Sequence, residues 1–526
     1  MFLLVQQAGC QYHMEQWQKI DIQHYNFSIS LSDTSDIIYC NARIDMIFKE
    51  PVDYFSLDLT GKDDQGKGMV VKRVTIDGKE SKFRHQNDSL YIYWACSKAN
   101  TPATVTVEYS GIPADGLIIS KNIFGDRTFF GDNWPDRAHN WLVCIDHPSD
   151  KATVDFTVSA PDNYEVIANG NLIEETDEGN QFKLYHWRSD EPLPTKVMVI
   201  GVAEFAIDTI KNNLGIPVST WTYPEDTAKW FRPFRSVTEP ISFFETILGP
   251  YPFSKLANVQ STTIFGGMEN AGNIFYMEDL MNRRRNPEGT IIHEIAHQWF
   301  GNSVTEGNWY DLWISEGFAS YLTDLFYEYK YGREALKSRM AEERIMVIRY
   351  HGRNPEPVID TTVTDYSDLL TINVYEKAAW FLHMLRREMG DELFMKCIRS
   401  FYEKYRYSNA VTGDFQNIAE SLTGKNLNKF FEQWLRKSGY PELNIYWYQK
   451  KNKILVRIEQ LQKDAVYNFP LELKFVSTDS TMRTETVHMD RAVEDFSFRV
   501  DGKTANLVSD PEVWLLFEGK SIKKKF

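Results

Sequence analysis

Ile291-Ile292-His293-Glu294-Ile295-Ala296-His297 is the stretch that decides how this chain folds and which chemistry it carries. Its apolar residues, with neither proline nor glycine among them, favour a helix. On a helix, residues four apart lie on one face, so His293 and His297 can direct ring nitrogens at a single zinc ion. Glu294 is offset by about 100° and can reach a water molecule on that ion. Amphipathic helices with partly buried histidines show the same pattern, so the surrounding sequence has to decide.

A third ligand is predicted downstream of this helix. A catalytic zinc ion needs three protein ligands and one open position. The stretch from Asp311 to Tyr331 reads as a second helix and contains Glu316. If the first helix ends near Gly301, a loop and an antiparallel return would bring the Glu316 carboxylate to the two imidazoles. Because glutamate is a common residue, this spacing alone supports the ligand only modestly.

The upstream stretch Gly266-Gly267-Met268-Glu269-Asn270 suggests a place for a peptide. Two glycines before a carboxylate let another backbone approach closely. An edge strand here could pair with an extended peptide through main-chain hydrogen bonds. Glu269 would then meet the free ammonium group at the end of that peptide. The alternative is a glycine bulge in an ordinary hairpin, with Glu269 on a solvated loop, and without the zinc helix this alternative would be preferred.

Tyr375 is a candidate for stabilising negative charge during a reaction. It lies just before a helical run from Ala378 to Glu388. A phenol aimed at the metal could donate a hydrogen bond to a developing oxyanion. The alternative is a core or surface tyrosine, one of the 27 in the chain.

The hydrophobic pattern divides the chain into three parts. Apolar residues alternate with polar ones from about Gln23 to Phe205, which predicts an antiparallel β domain. From Pro287 to about Arg436 the pattern is mostly helical, and from Asn444 onward period two returns. The fold class is therefore multidomain α+β. The predicted domains are 1–207, an N-terminal β domain; 208–441, the catalytic domain; and 442–526, a small C-terminal β-sandwich.

Composition excludes several classes of protein. The 526 residues carry a net charge of −15, which argues against a nucleic-acid partner because phosphate binding needs clustered cations. No apolar stretch approaches the ~18 residues of a transmembrane helix. The five cysteines, Cys10 among them, include no C-x-x-C pair, so neither a disulfide scaffold nor a cysteine metal site is expected. The short apolar start Met1–Val5 leaves a cytoplasmic protein and an exported, periplasmic one with a truncated signal both open.

Taken together, these motifs resemble one enzyme family in their order and spacing. Gly266–Asn270, His293–His297, Glu316 and Tyr375 look like the zinc aminopeptidase (gluzincin) family of aminopeptidase N, aminopeptidase B and leukotriene hydrolase. Three further stretches agree with the family: Trp299–Asn302, Cys144–Lys151 and Phe431–Pro441. The resemblance therefore extends over nearly the whole chain.

The resemblance implies a thermolysin-like, mostly helical catalytic domain that holds one Zn²⁺ per chain. The implied ligands are His293, His297 and Glu316. Glu294 would act as general base and proton shuttle, and Tyr375 would stabilise the tetrahedral intermediate. The substrate-binding residues implied are Gly266, Gly267, Met268, Glu269 and Asn270, with Glu269 holding the substrate's α-amine.

The function implied is a zinc-dependent aminopeptidase. It would hydrolyse the N-terminal amino acid from peptides through a zinc-activated water, and its partners would be peptides with a free N-terminus. Two alternatives stay open: a zinc endopeptidase that uses the same helix, and an inactive, peptide-binding relative. First-residue preference and oligomeric state cannot be read from these residues.

The chain also departs from the family pattern. Ala378 stands where the family often has glycine, and Val143 stands where a proline usually precedes the cysteine. The first-domain group that helps to bind the amine is not obvious, and Asp132 or Asn133 is the candidate. The sequence also resembles a short member without the C-terminal helical domain, for which a more open cleft is expected.

Overall fold

The computed structural model describes residues 18–282, 286–463 and 465–524. The described residues of Met1–Trp309 and Tyr402–Ala410 form one compact unit, and those of Tyr310–Phe401 and Val411–Phe526 form a second. The domain boundaries expected at 207 and 441 follow a different division and stay predictions. The expectations about Met1–Val5 and Cys10 fall outside the described residues.

An eight-stranded sheet dominates the N-terminal part of the first unit. Tyr25, Phe27 and Ile29 are buried and alternate with more exposed neighbours, as the period of two predicts. The neighbouring strands Ile20–Ser30 and Lys151–Pro161 pair in parallel, whereas the other pairs in the sheet are antiparallel. In spatial order the strands are Asn171–Gly179, Phe182–Pro194, Lys151–Pro161, Ile20–Ser30, Ile38–Phe48, Thr101–Ile112, Gly68–Ile76 and Lys79–Glu80.

The first unit also contains several smaller sheets. A three-stranded sheet contains Val52–Asp58, Ser89–Cys96 and Phe83–Gln86. A four-stranded sheet contains Glu165–Ala168, Ile200–Ala203, Arg127–Gly131 and Leu117–Lys121. A short parallel pair contains Val304–Glu306 and Ser408–Ala410.

A five-stranded mixed sheet leads to the candidate site. In spatial order its strands are Ala206–Ile210, Val218–Thr222, Leu256–Ser261, Asn273–Met277 and Gly267–Met268. Leu256–Ser261 is buried along its whole length and pairs in parallel with both neighbours. Continuous burial is typical of parallel strands that are covered on both faces. Gly267–Met268 is the edge strand of this sheet.

The helices of the first unit include α1 (Thr227–Phe234), α2 (Thr238–Ile247) and α3 (Glu288–Ala296). The sequence pattern favours one helix from Asp226 to Leu248, but a 3₁₀ turn, Arg235–Val237, separates α1 from α2. Pro233 lies in the last turn of α1, where it cannot donate a main-chain hydrogen bond. The proline therefore weakens the last turn of α1, directly before the break.

The second unit joins helices to a C-terminal β region. Its elements include α4 (Trp313–Tyr331), α5 (Arg333–His351), α6 (Ala378–Met389), the helix α7 (Asp391–Tyr405) that begins in it, α8 (Thr412–Thr423) and α9 (Asn428–Phe431). One sheet contains Val493–Arg499, Lys453–Gln460, Glu442–Lys450 and Glu518–Lys523; the other contains Met482–Met489, Phe469–Ser477 and Thr504–Ser509. Phe475 of one sheet and Phe498 of the other contact each other, with their ring centroids 5.1 Å apart.

Candidate active site

Helix α3 carries the two histidines and is built as the sequence predicts. Pro287 precedes its first residue, and Ile291, Ile292 and Ile295 are buried. The helix gives way to a turn at His297, whose N–H still donates to the His293 carbonyl over 3.2 Å. The two imidazoles therefore lie on one face, one turn apart.

The geometry of the imidazole pair fits a shared metal ion. The Nε2 atoms of His293 and His297 are 3.0 Å apart. Two nitrogens bound tetrahedrally to one zinc ion at about 2.0–2.1 Å would be about 3.3 Å apart. The Nδ1 atom of His297 lies 3.1 Å from the Phe300 carbonyl oxygen, which can only accept a hydrogen bond. That contact assigns the proton to Nδ1 and leaves the Nε2 lone pair available for a metal.

The edge strand lies directly against the carboxylate of Glu294. Gly267 pairs with Tyr276 and Met268 with Phe275, in the antiparallel sense. A Cβ atom at Gly267 would overlap the carboxylate of Glu294. Only glycine at this position lets the strand and helix α3 approach so closely, which gives the second glycine of the motif a physical reason.

Glu269 is buried beside Glu294 and His297. It is 5% exposed, so it does not lie on a solvated loop. One side-chain atom able to bind a metal, from each of Glu269, Glu294 and His297, lies within 4.8 Å of the other two. Oε1 of Glu269 and both polar side-chain atoms of Asn270 are buried without a hydrogen-bond partner. Buried polar groups normally find partners, so these atoms are suited to meeting a polar ligand.

Two side-chain amides hold the main chain at Glu269. The Glu269 carbonyl oxygen accepts hydrogen bonds from Nε2 of Gln298, over 2.9 Å, and from Nδ2 of Asn302, over 2.6 Å. Oε1 of Gln298 also accepts the N–H of Gly272 over 2.9 Å. The loop after the edge strand is thus fastened to the turn that follows helix α3.

Two further side chains hold the rest of this loop and the start of the strand that follows it. Nδ2 of Asn169 donates to the Ala271 carbonyl over 2.9 Å. Nζ of Lys255 donates to Oδ1 of Asn273, over 2.6 Å, and to the Ala168 carbonyl, over 2.8 Å. Burial lowers the pKa of Lys255 to about 7. The sequence reasoning missed these anchors, because their partners are main-chain groups or residues far along the chain.

Both first-domain candidates for the amine site are already engaged. Asp132 accepts hydrogen bonds from Arg137, over 2.7 Å, and from Thr263, over 2.9 Å. Burial raises the pKa of Asp132, although the charge of Arg137 opposes the rise. Asn133 donates to two main-chain carbonyls and accepts the indole N–H of Trp141 over 2.8 Å. Asp132 therefore holds the loop that leads into the glycine motif, and Asn133 binds main-chain groups in the N-terminal part of the unit.

In the second unit, the elements that carry Glu316 and Tyr375 pack closely. Glu316 lies in the first turn of α4 and is 4% exposed. Tyr375 lies in a π-helical turn, Asn373–Lys377, directly before α6. A Cβ atom at Gly317 would be 2.5 Å from the Ala378 methyl group, which is closer than atoms can approach. Gly317 therefore accommodates the alanine that departs from the family pattern.

Comparisons with known proteins place this chain in a class. Residues 22–197 match the Peptidase M1 N-terminal domain, and residues 234–434 match the Peptidase family M1 domain. The chain belongs to peptidase family M1, the zinc aminopeptidase family that its motifs resemble.

The similar proteins include several aminopeptidases. The chain is 26% identical to probable aminopeptidase 2 of Sulfurisphaera tokodaii, over 77% of this chain and 54% of that protein. It is 27% identical to human glutamyl aminopeptidase, over 71% of this chain and 40% of that protein. This chain thus spans about half the length of the relatives it matches.

A solved structure shares the fold. Legionella pneumophila aminopeptidase A, crystallised in complex with aspartic acid, superposes with a TM-score of 0.81 at 18% identity, over 95% of this chain and 60% of that one. The expected multidomain α+β fold, with its N-terminal β region, helical catalytic region and C-terminal β region, is confirmed. Within the described ranges, no helix is both long and apolar enough to span a membrane.

Proposed function

We propose that this protein is a zinc-dependent aminopeptidase that removes the N-terminal amino acid from peptides. The observation that carries the proposal is the position of Glu269, a buried carboxylate at the end of an edge strand and beside Glu294 and His297. Family membership supports the same activity, since relatives such as those of Sulfurisphaera tokodaii and human are named as aminopeptidases.

The metal ligands proposed are His293, His297 and Glu316, which would hold one Zn²⁺ per chain. The 3.0 Å separation of the two Nε2 atoms supports the histidine pair, and the family pattern supports Glu316. A bound zinc ion would supply Lewis-acid chemistry, polarising a carbonyl and lowering the pKa of water to about 7.

Glu294 is proposed as the general base. It is buried on α3 one residue after His293, with the edge strand packed against its carboxylate. It would take the proton from the attacking water and pass it to the leaving nitrogen. Tyr375 would donate a hydrogen bond from its hydroxyl group to the substrate oxygen as negative charge develops there.

The edge strand and Glu269 would select the end of the peptide. The substrate's main chain would pair with Gly266–Met268, as an added strand pairs with an open sheet edge. The Glu269 carboxylate would hold the substrate's free ammonium group, with Asn270 beside it. Fixing the ammonium places the first peptide bond at the reacting groups, so cleavage removes one residue.

A panel of aminoacyl fluorogenic substrates tests the activity, with and without a chelator, alongside metal analysis. We expect hydrolysis that stops when zinc is removed and returns when zinc is restored. A protein that contains no zinc and hydrolyses no substrate would support the inactive, peptide-binding alternative.

Blocked peptides separate the aminopeptidase from the endopeptidase. The parent protein should cleave peptides with a free N-terminus and leave their N-acetylated forms intact. Glu269→Ala should weaken cleavage of the free peptides, whereas Glu50→Ala, at an exposed position of the same unit, should not. Equal cleavage of free and acetylated peptides by the parent would identify an endopeptidase.

A further inference from the structure

An aminopeptidase needs a fixed separation between the group that holds the ammonium and the group that takes the proton. Here the two groups lie on different elements: Glu269 follows the edge strand Gly267–Met268, and Glu294 lies on α3. A misplacement of about 1 Å between such groups can lower a rate about 100-fold. The contacts that join the two elements therefore matter to the reaction even where they lie away from the reacting atoms.

Gln298 joins the two elements through both polar atoms of its side-chain amide. It follows His297 directly and is fully buried, at 0% exposed. Its Nε2 atom donates to the Glu269 carbonyl over 2.9 Å, and its Oε1 atom accepts the Gly272 N–H over 2.9 Å. The Tyr251 hydroxyl group lies 3.4 Å from the same Oε1 atom and 3.2 Å from the Lys255 carbonyl oxygen. One side chain thus holds both ends of the loop that presents Glu269.

Asn302, at the end of the turn after α3, also binds the main chain at Glu269. Its Nδ2 atom donates to the Glu269 carbonyl over 2.6 Å, so that oxygen accepts two side-chain amide hydrogen bonds. The main-chain N–H of Asn302 donates to the His297 carbonyl over 3.1 Å. The histidine that ends the metal motif and the carbonyl of the amine-binding residue are therefore connected through two short paths, by Gln298 and by Asn302.

We propose that Gln298 is a positioning residue that sets the place of Glu269 relative to helix α3 and so maintains selectivity for a free N-terminus. The proposal rests on the proposed function, because it assigns to Glu269 the capture of the substrate's ammonium group. Gln298 acts through the main chain at Glu269 and Gly272. Its effect on the reaction should therefore depend on the Glu269 carboxylate being present.

A double-mutant cycle tests this dependence directly. The variants are Gln298→Met, Glu269→Ala and the pair together. Methionine has a similar length but neither hydrogen-bonds like an amide nor introduces a buried charge. Gln65→Met, at an exposed position of the same unit, is the matched control. For each protein, kcat and KM are measured on a free aminoacyl anilide, together with zinc content and the midpoint of thermal unfolding.

We expect Gln298→Met to lower kcat/KM at least tenfold in the parent and less than twofold in the Glu269→Ala protein. Zinc content should stay at the parent level in both. Hydrogen exchange at the Gly272 amide should become faster in Gln298→Met and stay unchanged in Gln65→Met, which checks the contact without using activity.

Equal losses in the two backgrounds would overturn the proposal, because Gln298 would then act independently of Glu269. So would parent-level kcat/KM in Gln298→Met. If Glu269→Ala alone leaves selectivity for free over acetylated peptides unchanged, the amine site of the proposed function is wrong, and this inference falls with it. If Gln298→Met does not fold, Gln298→Asn takes its place in the cycle, since its shorter amide cannot span both contacts.

Discussion

The eight-stranded sheet and the segment from His293 to Asn302 differ in which side chains they bury. The sheet buries mainly apolar side chains, whereas the segment buries polar ones as well. In Ile20–Ser30, Phe27 and Ile29 face the core while polar neighbours point outward. In the segment around His297 nearly every residue is buried, and Glu294, Gln298 and Asn302 are buried with it. Burying polar groups lowers stability unless they find partners. The comparison teaches that one region is arranged for stability and the other for holding polar groups in place.

The largest effect is expected at Glu294. Glu294→Gln keeps the size of the side chain but removes its ability to accept a proton, so kcat should fall by about 10²- to 10⁴-fold. Zinc content and thermal stability should stay near those of the parent. Turnover of an aminoacyl anilide close to the parent value would contradict the assignment of Glu294 as base.

In the eight-stranded sheet, a core substitution is expected to lower stability and leave catalysis nearly unchanged. Phe156 is fully buried, and its ring stacks on that of Phe27 with centroids 5.6 Å apart. Phe156→Ala should lower the free energy of unfolding by about 3–5 kcal/mol, through lost burial and the cavity left behind. Urea unfolding measures the loss, and kcat/KM of the folded protein should change little. A large fall in kcat/KM without destabilisation would contradict the view that this sheet serves stability and not the reaction.

Gly267 tests the close approach of strand and helix. A methyl group there overlaps the Glu294 carboxylate, so Gly267→Ala should displace it and lower kcat/KM about 100-fold. The control is Gly413→Ala, since a Cβ atom at this helical glycine meets nothing within 4 Å. Parent-level activity in Gly267→Ala would show that the two elements can separate at no cost.

A compensating pair tests the packing beside Glu316. Gly317→Ala should destabilise the protein by about 1–3 kcal/mol, because the new methyl group meets that of Ala378. Adding Ala378→Gly should restore most of the stability. Urea unfolding of both single variants and the double variant measures the coupling, and additive effects would argue against a direct contact.

The smallest effect is expected from a buried network near the N-terminal sheet. Burial alone would lower the pKa of His139, but the hydrogen bond and charge of Asp146, with Asp58 and Asp136 nearby, raise it from 6.5 to about 9. Because the folded pKa is the higher one, this contribution to stability is complete below about pH 6.5 and is lost as the pH rises through about 9. Unfolding midpoints across this range should fall less steeply in His139→Gln than in the parent. Equal slopes would contradict the assignment.

Sequence patterns predicted the parts of the fold in which one rule dominates. Alternation located strands such as Ile20–Ser30, and helical spacing located α3 around His293. The parallel pairing of Ile20–Ser30 with Lys151–Pro161 was not predicted, because alternation says which side chains are buried and not which strands are neighbours. The break between α1 and α2 was missed as well, although Pro233 marks it.

At the candidate site, the proposed reacting groups are easier to find in the sequence than the residues that support them. Glu269 and Glu294 stand in recognisable motifs, and the structure brings them together within the first unit. Gln298, Asn302 and Asn169 bind main-chain carbonyls, which every residue carries, so no pattern in the sequence marks these partners. Whether Glu316 is the third ligand stays a prediction for metal analysis to test.

One half-buried lysine links the N-terminal strands to the turn beyond the histidines. Nζ of Lys151, the first residue of its strand, donates to the carbonyl oxygens of Asn302 and Ser303 over 2.9 and 2.8 Å. A fragment that starts at residue 208 would lose this lysine and also Asn169, the donor to Ala271. The peptidase region is therefore expected to be a poor candidate for expression by itself, because the buried carbonyls of Ala271 and Ser303 take their hydrogen bonds from donors in the preceding residues.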